Sequence, residues 1–481
     1  MPDNKNLETD PITSLIAEFN DPEREEDEFR NDFFQGLSGR RKKSALALTL
    51  IWAFTIGLHL LPYNFIVIIA LGLFVTIQGF RLMFTSALHP SLTPATDALT
   101  LTPSPLAEGG MPFVSLLVSA KNEEVVIAKL VKMLLKLDYP QDRYELWIVD
   151  DNSSDKTGEI LNQLALESPQ LNVLHRDAQG KGGKSGALNQ AFSLCQGDII
   201  GVFDADAIVP ENILQEVIQL FKNEVTGAVQ VRKSISNSSE NFWTQGQYVE
   251  MGLDSYFQRQ RINCGGIGEL RGNGQFVLRR ALNSCGGWNE ETITDDLDLT
   301  IRLHLDGWNI DILENPAVGE EGVRGVRALW HQRSRWAEGG YQRYLDYWRF
   351  LISSRLNWRK KFDLFFFFMV QYIFPTAALP DFLMVITRHR LPLIAPISSL
   401  TLILAFWGMF TGLRRNHQSE ISFTDTVKMI GQSFFGMIYM IHWFIVMPVT
   451  TARMSFRQKR LKWVKTVHQG DTEENPALGI G

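Results

Sequence analysis

The chain has 481 residues, 45% of them hydrophobic, and a formal net charge of −6. That length holds two domains or one large domain with appendages, and an acidic balance without a basic domain excludes nucleic-acid binding as the main role. Cys195, Cys264 and Cys285 show neither metal-ligand spacing nor a disulfide framework, so they read as reduced core thiols in a cytosolic domain.

Residues 1–39 are polar and acidic around Asp21-Pro-Glu-Arg-Glu-Glu-Asp-Glu28. They cannot bury enough apolar surface to fold alone and read as a disordered cytosolic tail. Arg40-Arg-Lys-Lys43 precedes an apolar run from Ala45 to Leu61, Pro62-Tyr-Asn64 breaks it, and a second run extends from Phe65 to Phe84. Each run approaches the roughly 20 residues of a spanning helix. No small-residue cleavage site follows the first, so it is not a signal peptide. The basic cluster and Arg81 favour the cytoplasm. Residues 40–86 are therefore predicted to form a transmembrane helical hairpin, and 87–111, rich in Pro, Ser and Thr, a linker.

From 112 to 328 the pattern alternates. Strands are predicted at 113–119, 145–149 and 171–174, and helices at 125–137, 155–166 and 185–194. The last helix leads into Gly197-Asp-Ile-Ile-Gly-Val-Phe-Asp-Ala-Asp-Ala207. The run Ile199–Phe203 reads as a buried strand. Such alternation predicts an α/β domain with a mostly parallel sheet covered on both faces. Asn122, Asp151 and Asp204 fall at C-terminal strand ends, where such sheets place a nucleotide-type crevice. Side-chain alternation puts Asp204 and Asp206 on one side. Paired carboxylates suit Mg²⁺ shared with substrate phosphates; a solvated acidic turn is the plain alternative. Gly180-Lys-Gly-Gly-Lys-Ser-Gly186 sets Lys184 before a helix N-terminus, a favourable place for an anion, though the spacing is not a Walker P-loop. An ordinary glycine-rich connection is the alternative there.

After Ile213 the pattern loosens. Thr294-Asp-Asp-Leu-Asp-Leu-Thr300 opens a helix to about Leu305, with Thr294 a plausible N-cap and its acids suited to the helix dipole. Helix-start chemistry alone would also explain Asp295, Asp296 and Asp298. Residues 329–361 carry Trp330, Trp336, Tyr341, Tyr344, Tyr347 and Trp348 among arginines. This stretch is predicted to lie in a membrane interface, or else to pack under the catalytic domain. Within 362–452, apolar runs follow at 364–386, 393–413 and 430–449, and a basic then polar cytosolic tail occupies 453–481. Full crossing by all of these runs would leave the basic tail outside, against the positive-inside tendency. An even number of spans is therefore expected, with one run re-entrant or interfacial, or the first broken at Pro375 and Pro380.

Asp150-Asp151 with Asn152-Ser-Ser-Asp155, then Asp204-Ala-Asp206, Thr294-Asp-Asp296 and Gln332-Arg-Ser-Arg335-Trp336 stand in this order between apolar helices. In that combination the chain resembles the membrane-embedded family 2 glycosyltransferases, the group of cellulose, hyaluronan and poly-N-acetylglucosamine synthases. The resemblance covers about 113–350 and the flanking helices. It implies a glycosyltransferase A-type, Rossmann-like cytosolic domain inserted between transmembrane helices. It implies nucleotide-sugar binding by Asn122, Glu123, Asp151, Lys184 and Asp204, and a Mg²⁺ ion, or Mn²⁺, on Asp204 and Asp206. Asp296 would be the base, with Asp295 where the family commonly has Glu. Gln332, Arg335 and Trp336 would complete the catalytic set, with Arg335 on the diphosphate and Trp336 near the acceptor or anchored in the interface. A single displacement would turn an α-linked donor into a β-linked product.

Membrane helices imply a lipid acceptor or a polymer threaded outward. The whole-chain layout resembles the cyanobacterial β-monoglucosyldiacylglycerol synthases, which implies a multi-pass hexosyltransferase of the plasma or thylakoid membrane passing glucose from UDP-glucose to 1,2-diacylglycerol. Against this, Phe423-Thr-Asp-Thr-Val-Lys428 partly matches the cellulose-synthase gating loop F-x-V-T-x-K, as a processive β-glycan synthase would require. A non-catalytic sugar-nucleotide sensor is a third reading, opposed by the intact acids Asp151, Asp204, Asp206 and Asp296.

Overall fold

The computed structural model describes residues 40–85, 111–389, 391–417 and 420–456. The acidic stretch 1–39, nearly all of the 87–111 linker and most of the 453–481 tail lie outside the described residues. The chain folds around a seven-stranded sheet in the order β3-β2-β1-β4-β6-β5-β7. Strands β1 (Val114–Ala120), β2 (Tyr144–Asp151), β3 (Leu171–Arg176) and β4 (Ile199–Phe203) run parallel. Every residue of β4 is buried, as a strand covered on both faces must be. Strand β5 (Thr226–Ile235) pairs parallel with β7 (Asn309–Glu320), and the short β6 (Gln275–Leu278) runs antiparallel between β4 and β5.

These last three strands, and the long helix that follows β5, lie where the sequence pattern loosens. Gln230 and Gln275 are buried in strand positions, so hydropathy alternation is lost although the backbone is extended.

The two apolar runs of 40–86 form helices α1 (Arg40–Leu60) and α2 (Asn64–Phe84). Helices α3 (Ile127–Leu134), α4 (Thr157–Glu167), α5 (Gly183–Leu194) and α6 (Ile213–Leu220) accompany the sheet. So do α7 (Phe242–Asn263), α8 (Arg279–Ser284) and α9 (Asp295–Leu305). Helix α10 (Val326–Ile352) then carries Gln332, Arg335 and Trp336. It does not lie open on a surface: Leu329, Arg333 and the whole of Ala337–Tyr347 are buried, packed against α1 and α9. Aromatic and arginine content is shared by interfacial helices and by helices buried between two layers, and here the second arrangement holds.

Helix α11 (Trp358–Phe368), a π-helical turn (Met369–Ile373) and α12 (Phe374–Arg388) form one continuous rod. The turn has a cause: Pro375 has no N–H for the carbonyl of Gln371 four residues earlier, and the Phe374 N–H bonds Met369 O instead. Helix α13 (Ala395–Asn416) follows. The final apolar run is broken at Ile441-His442 into α14 (Phe423–Met440) and α15 (Trp443–Phe456). Five segments are long and apolar enough to cross a membrane: 40–60, 64–84, 358–388, 395–416 and 423–456. They pack as two groups. Helices α1, α12 and α15 lie together, and α2, α13 and α14 lie together, the last two also against α7.

Candidate active site

A cavity of about 1690 Å³ opens at the C-terminal ends of β1, β2 and β4 and extends between the two helix groups. Its polar end is lined by Glu123, Asp151, Lys184, Asp204, Asp206, Asp295 and Asp296 together with Gln332, Arg335 and Trp336. Residues far apart in sequence thus face one space. Asn122 is the exception. It sits in the left-handed region (φ 56°), and its side chain accepts the Ser154 N–H at 2.7 Å while its own N–H donates to Ser153. It ties the end of β1 to the loop after β2 and does not line the cavity.

The glycine-rich loop enters α5 through Gly182, held at φ +79°, where a Cβ would overlap the Glu290 carboxylate. This brings the Lys184 ammonium to Asp204 at 2.5 Å. Burial works against that charge, but Asp204, Asp295 and Asp296 raise the Lys184 pKa above its ordinary value. Burial likewise opposes ionisation of Asp204, yet Lys184, Lys233 and Arg335 outweigh it and hold the carboxyl below its usual range. The Asp204 N–H donates to Asn273 (3.3 Å), and Asp206 accepts the Glu321 N–H (3.4 Å).

Asp296 opens α9. Burial first, then neighbouring Asp295, pushes its carboxyl up to about 6, a range suited to a general base near neutral pH. The expected N-cap is not made, because the Thr294 side chain bonds no backbone N–H of α9; it packs against Gly339 instead. Asp298 turns inward, accepting from Asn289 (3.0 Å), Tyr347 (2.8 Å) and Arg302 (2.7 Å). It anchors α9 to α10, a role that neither the catalytic nor the helix-start reading had given it. Trp336 lines the cavity with the Arg333 guanidinium 4.0 Å and the Lys233 ammonium 5.4 Å from its ring centroid.

Sequence reading missed Lys233, which lies in β5 and contributes a positive charge to the crevice, and Arg176 at the end of β3. Arg176 holds Asp151 (2.7 Å) and the Gly183 carbonyl (3.0 Å), fixing the loop that presents Lys184. Both sit on strands with no motif around them.

Among the described residues no group of three or more His, Cys, Asp or Glu side chains could hold a metal alone. Asp204 and Asp206 provide the partial set that a divalent ion completes with phosphate oxygens and water. The residues present therefore fit such an ion when a diphosphate is bound.

Residues 112–339 match the glycosyltransferase like family 2, and the chain belongs to that family. It is 53% identical over 469 residues to the β-monoglucosyldiacylglycerol synthase of Synechocystis sp., covering 97% of this chain and 96% of that one. It is also 53% identical over 475 residues to the protein of the same name from Nostoc sp., covering 98% and 99%. Among solved structures it is similar to a mannosyltransferase from Pyrobaculum calidifontis in complex with GDP-Man and Mn²⁺, with a TM-score of 0.52 and 18% identity over 82% of this chain and 99% of that one. The fold is the glycosyltransferase A type, as the motif order implied.

Proposed function

We propose that this protein transfers glucose from UDP-glucose to the free hydroxyl of 1,2-diacylglycerol, giving a β-monoglucosyldiacylglycerol. The observation that carries the lipid acceptor is the shape of the cavity. Below the carboxylates its wall turns apolar, lined by Phe366, Phe367, Val370, Leu402, Leu404 and Phe444 of the membrane-level helices. An acceptor with one hydroxyl and two acyl chains matches a cavity that is polar at one end and apolar at the other. The near full-length similarity to the two cyanobacterial β-monoglucosyldiacylglycerol synthases supports a glucosyl-diacylglycerol product. The polymer reading loses its sequence support. Residues 423–428 open α14 behind a Ser422 capping box and contribute nothing to the lining of the cavity.

In this reading Asp151 and Glu123 flank the nucleotide. Lys184 and Arg335 present fixed positive charge to the diphosphate that departs. Asp204 and Asp206 would hold a divalent ion, Mg²⁺ or Mn²⁺, which would supply Lewis-acid stabilisation of that leaving group. Asp296 takes the proton from the acceptor hydroxyl as it attacks, and Asp295 keeps that carboxyl basic. Gln332 accepts from Arg333 (2.6 Å), which holds Trp336 over the acceptor end.

The catalytic domain is cytosolic in this reading, and four helices cross: α1, α2, the α11–α12 rod and α13. Helix α14 lies along α7 of the catalytic domain, and α15 returns to the start of α1, where Ser44 donates to Thr451 O (3.1 Å). The α14–α15 elbow then rests at the cytosolic interface, with Phe423, Val427, Ile430, Phe434 and Ile438 exposed on one helical face. Four crossings give the even number that the basic tail demands.

Membranes containing the protein, incubated with radiolabelled UDP-glucose, Mg²⁺ and diacylglycerol, test the function. Label in one discrete, alkali-labile glycolipid is the expected result. Label in glucanase-sensitive material that stays at the chromatographic origin would overturn it.

A further inference from the structure

The apolar end of the cavity contains few polar side chains, and most are already engaged. The Thr401 hydroxyl donates to Ser398 O (2.8 Å). The Trp443 indole N–H donates to Glu250 (2.8 Å). The Tyr372 ring packs against Tyr341, Tyr344 and Phe368. Gln371 differs. It lines the cavity, yet among the described residues its carboxamide has no hydrogen-bond partner. Gln371 is half-buried, so its carboxamide is accessible from the cavity and free to bond a ligand there.

Its placement is specific. Gln371 lies at the centre of the π-helical turn Met369–Ile373, and such turns are frequent at functional sites. The next residue, Tyr372, lies against Gly340 of α10, where a Cβ would overlap its hydroxyl. Gly340 is five residues beyond Arg335, about 7.5 Å of helical rise. The π-helical turn is thereby held against α10, and Gln371 lines the same cavity as Arg335 and Asp296. In a diacylglycerol whose hydroxyl meets Asp296, the next polar groups along the molecule are the ester carbonyls, a few bonds away.

We infer that Gln371 is a specificity-determining residue, whose amide N–H donates to an ester carbonyl of the acceptor. The inference rests on the diacylglycerol reading and deepens it: the enzyme selects acyl esters over lipids with the same chains in ether linkage. The chemistry recognised is a glycerol diester with one free hydroxyl.

Purified enzyme in detergent micelles is compared on 1,2-dioleoylglycerol and on the corresponding 1,2-dialkylglycerol, which lacks both carbonyls. The variant Gln371→Met keeps length and volume. Wild-type enzyme should show a KM about threefold to tenfold lower for the ester lipid, the size of one neutral hydrogen bond. The variant should raise KM for the ester lipid to the ether value while leaving KM for UDP-glucose and kcat unchanged. A variant that keeps the ester preference would overturn the inference alone. So would wild-type enzyme that takes both lipids equally well, whether or not the variant folds. Wild-type enzyme that glucosylates neither lipid would overturn the diacylglycerol reading along with it.

Discussion

The Lys184 ammonium meets the Asp204 carboxylate at 2.5 Å, joining the first turn of α5 to the end of β4. Two ends of the crevice that are separate in sequence are thereby locked together. Lys184→Met removes both this ion pair and a cation for the diphosphate. A charged hydrogen bond contributes about 1.5–3 kcal/mol, so kcat/KM for UDP-glucose should fall roughly 10- to 100-fold. Steady-state kinetics with radiolabelled donor check this; an unchanged value would remove Lys184 from the site.

The carboxyl of Asp296 is raised to about 6, by burial and then by Asp295. A general base works in its ionised form, so activity should be full above that value and lost as pH falls through it. Asp295→Asn removes a neighbouring negative charge, which favours ionisation of Asp296 and should move the acid limb to lower pH. Asp296→Asn should cost about 10²- to 10⁴-fold in kcat. A pH profile of kcat/KM for the acceptor measures both. An acid limb that stays in place in Asp295→Asn would exclude Asp296 as its source.

Buried Arg333 donates to Glu250, and the same carboxylate accepts from Tyr439 (3.2 Å) and Trp443 (2.8 Å). One acid of α7 therefore ties the catalytic helix to both arms of the α14–α15 elbow. Removing one charge strands the other, at a cost of about 3–5 kcal/mol, whereas replacing both can be nearly neutral. Thermal unfolding in detergent should show a large loss for Glu250→Gln and partial recovery for Glu250→Gln with Arg333→Met. Absence of recovery would mean that the aromatic partners dominate.

Gly339 and Gly340 let α10 pass between Thr294 and Tyr372, and a Cβ at either position would overlap its neighbour. Gly340→Ala should destabilise by about 1–3 kcal/mol, the usual cost of overpacking. It should also lower activity by displacing the π-turn. The melting temperature together with KM for the lipid reports both effects, and an unchanged KM would separate the turn from acceptor binding.

Much of the parallel half of the sheet was legible because β1, β2 and β4 are apolar runs, and β2 and β4 run into acids. The site motifs were legible because Asp151, Asp204, Asp206 and Asp296 sit at strand ends or a helix start. The second half was not. Helix α7 buries Gln247, Glu250, Gln258 and Arg261, so its polar composition hides its central position between sheet and membrane helices. The burial of α10 was equally hidden, since its arginines find partners such as Glu250 and Glu269 that no local pattern announces. Asn122 looked like a binding residue because it follows a strand, but its side chain is spent on a loop contact.

Ser44 near the start of α1 meets both Thr451 and Ser455 of α15 (3.1 and 3.3 Å), and Arg40 pairs with Asp346 of α10 (2.5 Å). The first described helix therefore docks on α10 and on α15, the last described helix. A ribosome delivers α1 and α2 long before Trp443, Phe444 and Met447 exist to close the lipid-facing wall. The catalytic sheet can fold midway through synthesis, but the acceptor chamber is finished only with α15. A chain that stops before α15 lacks Trp443, Phe444 and Met447 of the cavity wall and the partner of Ser44 on α1.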